Sequence, residues 1–86
     1  MAEKTSKKTN TQRILQITDL CEENFGRGSV QFVGVKFHPR IGWVAKVQFE
    51  DNIYFGNLTA DGDDATEALR KLKNRVKKII KRYNTV

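Results

Sequence analysis

The chain holds one cysteine, Cys21, and one histidine, His38, among its 86 residues. A lone cysteine excludes an intramolecular disulfide and any cysteine-cluster metal site, and it makes a reducing compartment the default expectation. A lone histidine beside Pro39 lacks the company that metal ligation and acid-base catalysis require, so His38 reads as a surface residue or a phosphate contact. Long apolar runs are also missing. The Lys-rich start MAEKTSKKTN is not followed by the apolar segment of a secretory signal, and nothing approaches the roughly 20 apolar residues of a membrane span. A cytoplasmic protein with no membrane partner is expected. Neither GxGxxG nor GxxxxGK[ST] occurs, Ser6 and Ser29 have no base nearby in sequence, and Asp63 and Asp64 have an adequate role as helix caps. The expectation is no enzyme, no catalytic residue, no metal and no cofactor.

What the chain does have is positive charge. Sixteen Lys and Arg stand against ten Asp and Glu, giving +6 and a pI near 9.7, a balance that attracts polyanions. The charge is segregated. Residues 50–67 carry Glu50, Asp51, Asp61, Asp63, Asp64 and Glu67 with no base, and residues 70–82 carry eight bases with no acid.

Hydrophobic periodicity places the elements. Ile14, Ile17, Cys21 and Phe25 recur at steps of three and four, predicting a helix over 11–24 that is capped by Asn10 or Thr11 and ended by Gly26. The period then becomes two. Val33, Val35 and Phe37 mark a first strand, Ile41, Trp43, Ala45, Val47 and Phe49 a second, and Asn52, Ile53, Tyr54 and Phe55 a short third after the turn Glu50-Asp51-Asn52. Phe37, Trp43, Phe49 and Phe55 are expected on the inward face, and Val44 and Leu58 on the outer one. Pro39 sets an exposed loop between strands one and two, with Arg40 near its tip. Ala65, Ala68, Leu69, Leu72, Val76, Ile79, Ile80 and Tyr83 form the stripe of a last helix, for which Asp63 or Asp64 with Glu67 supplies a capping box. The predicted fold is α+β, a three-stranded antiparallel sheet with two helices packed on one face in the order α-β-β-β-α. Residues 1–9 read as a disordered basic tail and residues 10–86 as a single domain.

Two basic features can meet phosphates. On the last helix the bases form ridges flanking the apolar stripe, Arg70/Lys73/Lys77/Lys81 on one side and Lys71/Arg75/Lys78/Arg82 on the other. The alternative for these is a solvated face whose stems cover apolar neighbours. The outward strand face and its loop offer Lys36, Arg40 and Lys46, with His38 beside them and Tyr54 as an aromatic for an unstacked base. Tyr54 has a second reading, as part of a dimer interface.

The α-β-β-β-α order over residues 11–83 resembles that of double-stranded-RNA-binding domains, with His38 and Pro39 where that family has its proline- and histidine-containing loop. The two residues stand in the opposite order, and Asp63 and Asp64 replace the family's lysine cluster at the start of the second helix. Trp43-Val44-Ala45 together with ADGDDATEALRKLKNRV resembles the strand-and-helix end of HicB-type antitoxins. That resemblance implies neutralisation of a ribonuclease toxin. The overall character is similar to small phage-encoded inhibitors of host defence systems, which would place the protein in the host cytoplasm. The resulting expectation is a non-enzymatic, homodimeric RNA-binding protein with an inhibitory or regulatory role, RNA being favoured over DNA. The alternatives are a protein-binding inhibitor that docks through the acidic segment 50–67 and a DNA-binding accessory protein.

Overall fold

A computed structural model describes residues 9–50 and 56–84. Its elements are α1 (Asn10–Phe25), β1 (Val30–His38), β2 (Gly42–Phe49), β3 (Asn57–Gly62) and α2 (Ala65–Tyr83), in the α-β-β-β-α order that the periodicity predicts. The strands form one antiparallel sheet with β2 in the centre.

Thr9 caps α1, one residue ahead of Asn10. Its hydroxyl accepts from the Gln12 N–H at 3.1 Å while the Gln12 side chain accepts from the Thr9 N–H at 2.9 Å, a reciprocal box that satisfies two orphan donors. At the start of α2 the Asp64 carboxylate accepts from the Glu67 N–H at 2.8 Å, and Glu67 reaches past the cap to the Asp63 N–H at 2.7 Å. Gly26 ends α1 at φ +106, as its position after Phe25 suggests.

The two helices run parallel. Asn10 meets Thr66 near their starts, Gln16 meets Lys73 further along, and Asn24 meets Asn84 at their ends. Both lie on one face of the sheet. Ile17, Cys21, Leu69, Leu72 and Val76 from the helices bury against Ala45, Val47, Phe49 and Ala60 from the strands. Small side chains at Ala45, Ala60 and Ala68 bring α2 close to the sheet. Gly62 does so most directly, because a Cβ there would lie 2.7 Å from the Ala68 backbone nitrogen. At the far end, Phe25 packs edge-on against both Phe49 and Tyr83, with ring centroids 5.7 and 5.0 Å apart.

The turn between β1 and β2 is set by its residues. The Ile41 N–H donates to the His38 carbonyl at 3.1 Å around Pro39 and Arg40, and Gly42 follows at φ +105. This is a four-residue turn whose next residue must enter a region that L side chains avoid. It fixes His38 opposite Gly42, and from there the whole register of Val35 with Ala45 and Gly34 with Lys46.

Several expectations need correction. The strand that pairs with β2 is Asn57–Gly62; the predicted run Asn52, Ile53, Tyr54 and Phe55 lies outside the described residues. The connection is longer than a tight turn, since the Phe49 N–H donates to the Gly56 carbonyl at 3.0 Å. With that register Leu58 stands opposite Val47 and packs inward, so only Val44 of the expected outer pair faces outward. Phe37 and Ile41 are not core residues: they are 55% and 60% exposed. Phe37 does point to the inner side and meets Trp43 edge-on at 5.5 Å, but it sits at the hairpin end, where helix cover gives out. Ile41 belongs to the turn itself.

Candidate nucleic-acid interface

The helices cover one face of the sheet, and among the described residues no element covers the other. Alternation along β1 sends Phe32, Gly34, Lys36 and His38 to that open face, and alternation along β2 sends Val44, Lys46 and Gln48 there. From β3 come Asn57, Thr59 and Asp61.

These side chains do not make a flat surface. Phe32, Gly34, Lys36, His38, Val44, Lys46 and Thr59 line an open pocket of about 350 Å³. Its floor comes from the hydrogen-bonding register. Gly34 lies opposite Lys46 and contributes no side chain, while Lys36 lies opposite Val44, which contributes a short one. The Phe32 ring folds along its own strand into the space above Gly34, so close that a Cβ on residue 34 would be 2.5 Å from its Cζ. The ring remains half exposed. The Lys46 ammonium sits over it, 5.8 Å from the centroid, at the outer reach of a cation–π contact. Beside the ring the register slips between Val30 and Phe32. The extra residue, Gln31, accepts from the Gln48 side chain at 2.9 Å across the sheet.

Of the residues singled out from sequence, Lys36, His38 and Lys46 are therefore brought together. Arg40 stands apart from the pocket, exposed in the turn beyond His38. Tyr54 lies outside the described residues. Phe32 was missed, although a signal existed: it keeps the parity of Gly34 and Lys36, opposite to that of Val33, Val35 and Phe37.

The bases of α2 lie on the other side of the molecule, since α2 turns its apolar stripe to the sheet's inner face. They are not one uniform ridge. Arg70 and Lys73 border a groove of about 150 Å³ between the helices together with Arg13, Gln16, Ile17 and Leu69. Lys73 is half-buried and donates to the Gln16 side-chain oxygen at 3.3 Å, and an Arg70 nitrogen lies 3.9 Å from a Glu67 oxygen. Lys77, Lys81, Lys71, Arg75, Lys78 and Arg82 are exposed. The acids Asp61, Asp63, Asp64 and Glu67 gather around the start of α2, where two of them serve as its cap.

Cys21 is fully buried between α1 and the rest of the core, and burial, with Glu22 adding to it, pushes its thiol up to about 11. Such a thiol stays protonated at neutral pH and is a packing residue rather than a nucleophile. No described helix is long and apolar enough to cross a membrane. Comparison with protein-family models, with curated proteins and with solved structures returns no match to this chain.

Proposed function

We propose that this chain is a non-enzymatic RNA-binding protein that docks RNA on the open face of its sheet and acts as an inhibitor or regulator, for example against a ribonuclease toxin. One observation carries the reading: Lys36, Lys46 and His38 converge with a half-exposed aromatic ring around a single pocket on a rigid sheet. Cations for phosphates beside a ring for bases are the two elements of an RNA-binding surface.

The topology supports the likeness to double-stranded-RNA-binding domains, but the start of α2 does not support that family's docking mode. Asp63, Asp64 and Glu67 stand there, the last two committed to the helix cap and all three repulsive to phosphate. The α2 bases serve instead as a second, salt-sensitive contact area on the opposite side. A homodimer suits the outer edge of β1, which pairs with no described strand, and the exposed Phe37 and Ile41. A reducing, cytoplasmic setting suits the buried thiol of Cys21.

The test is RNA affinity at low salt for Lys36→Glu/Lys46→Glu against Lys77→Glu/Lys78→Glu, each pair reversing two charges. The sheet pair should lose about tenfold or more, and its slope of log affinity against log salt should shrink by about two units as fewer counterions are released. The helix pair should lose less. Equal losses would remove the sheet face from the proposal, and no RNA binding by the wild-type chain would remove RNA.

A further inference from the structure

The pocket contains a feature that phosphate binding alone does not use. The tip of an aromatic ring lies over a glycine, with Cζ, Cε1 and Cε2 filling the space a side chain at residue 34 would take, and Phe32 remains half exposed. The Lys46 ammonium stands over the ring at 5.8 Å from its centroid, carried on a flexible four-carbon stem. The geometry points to Phe32 as a stacking platform for one unpaired base, so that the ligand is single-stranded RNA and not a duplex.

Shape separates a single strand from a duplex. Bases inside a duplex are stacked on one another and present only their edges, whereas a base can cover a side-chain ring only after leaving the stack. A pocket of about 350 Å³ falls at the small end of ligand pockets, which run to roughly 300–1,000 Å³, and has the scale of one nucleotide rather than a helical groove. Gly34 makes the platform possible. Its φ is not in the left-handed region, so the backbone does not demand glycine; the space above it does. Any larger residue would lift the ring off the sheet. When a base takes the open ring face, the Lys46 ammonium is displaced outward, where the sugar-phosphate backbone of the same nucleotide lies. Lys36, on the neighbouring strand across the pocket, is placed for the next phosphate. Val44 supplies an apolar floor for the base edge, and Thr59 a hydroxyl at the β3 side.

This inference rests on the RNA-binding reading, and the experiment separates the two. Two probes are titrated into the full chain: a single-stranded oligouridine of about ten nucleotides, within the roughly 4–16 that a compact single-strand site spans, and an RNA duplex of about 16 base pairs. Phe32→Ala should weaken oligouridine binding about five- to a hundredfold, the range expected for one lost stack, and change duplex binding by less than about twofold. Phe32→Trp should restore the loss. Gly34→Ala, which keeps the ring but displaces it, should reproduce most of the Phe32→Ala defect. In the wild type, the ring resonances of Phe32 should move upfield as oligouridine is added, which reads stacking without any substitution. Unchanged oligouridine affinity in Phe32→Ala with unmoved ring resonances would overturn the stacking platform. If Lys36→Glu/Lys46→Glu still lost binding in that case, the RNA-binding reading would stand without it. Equal loss on both probes would also overturn it, and wild-type protein that bound neither probe would overturn both.

Discussion

On the open face of the sheet two lysines flank an aromatic ring inside one pocket, whereas on α2 eight Lys and Arg surround an apolar stripe with no aromatic among them before Tyr83. Charge density favours the helix. Geometry favours the sheet, because Lys36 and Lys46 stand on hydrogen-bonded strands whose register is fixed by a turn, and each has a defined neighbour: Val44 for one, Phe32 and Thr59 for the other. The helix bases follow one another at helical spacing. Lys73 with Lys77, Lys77 with Lys81, Lys71 with Arg75 and Lys78 with Arg82 are all like-charged pairs four residues apart, each destabilising an isolated helix by about 0.2–0.5 kcal/mol. A concentration of charge makes a polyanion stay nearby; a fixed arrangement with a ring makes a site.

The contrast depends on both surfaces standing on one core, and Leu72 is where that is most exposed to test. It is fully buried on α2 against the sheet, so Leu72→Ala should cost about 2–5 kcal/mol. For a domain of this size that is most of the stability, and urea unfolding should show the helical and the Trp43 fluorescence signals failing in a single shifted transition. Two separate transitions would mean that α2 and the sheet are independent supports.

Cys21 offers a gentler probe of the same core. Its folded pKa, raised from 9.0 to about 11, means that the native state keeps the thiol proton after the unfolded chain has released it. The associated stability is complete below pH 9 and is lost as pH rises towards 11, by less than about 1.4 kcal/mol per pH unit. The measurement is the difference in slope between wild type and Cys21→Ala, which should be flatter. Equal slopes would show that water reaches the thiol.

Thr9→Ala removes the side-chain half of the α1 capping box and should cost about 1 kcal/mol in a thermal melt. Deletion of residues 1–8, polar and basic in sequence, should stay within about 0.5 kcal/mol. A larger loss on deletion would move the domain boundary towards the N-terminus. The smallest effect expected is on salt. Raising ionic strength should stabilise the fold by a few tenths of a kcal/mol, through screening of the α2 pairs, and Lys77→Gln should reduce that gain. An unchanged salt response in the variant would mean that the repulsion is already relieved within the fold.

Much of this architecture was legible in the sequence because each helix wrote its period over many residues, and β1 and β2 wrote theirs in large apolar side chains. β3 did not. Its residues NLTADG include types that strands generally disfavour, and its inward pair is only Leu58 and Ala60. The sequence Ile53, Tyr54 and Phe55 carries stronger strand propensity than NLTADG, so local propensity drew the prediction upstream of the described strand. The site was half legible. Parity alone put Lys36 and Lys46 on one face, but a pocket needs to know that Gly34 lies opposite Lys46, which is a matter of register and of the turn at His38–Ile41. The exposure of Phe37 was equally out of reach, because alternation tells which side of a sheet a residue faces and not how far the covering helices extend.

The parallel pairing of α1 with α2 has a consequence for how the protein comes off the ribosome. The three side-chain hydrogen bonds that join the helices span 56, 57 and 60 residues of chain, while the sheet is a meander of sequence neighbours. As synthesis proceeds, α1 emerges first with Ile14, Ile17 and Cys21 on one stripe, and the partner that buries much of this stripe, α2, is translated after every strand. Emergence at about 5–20 residues per second leaves α1 without that cover for several seconds. The same topology makes its closure a late event, so loss of the Asn10–Thr66 contact should speed unfolding and leave the folding rate nearly unchanged.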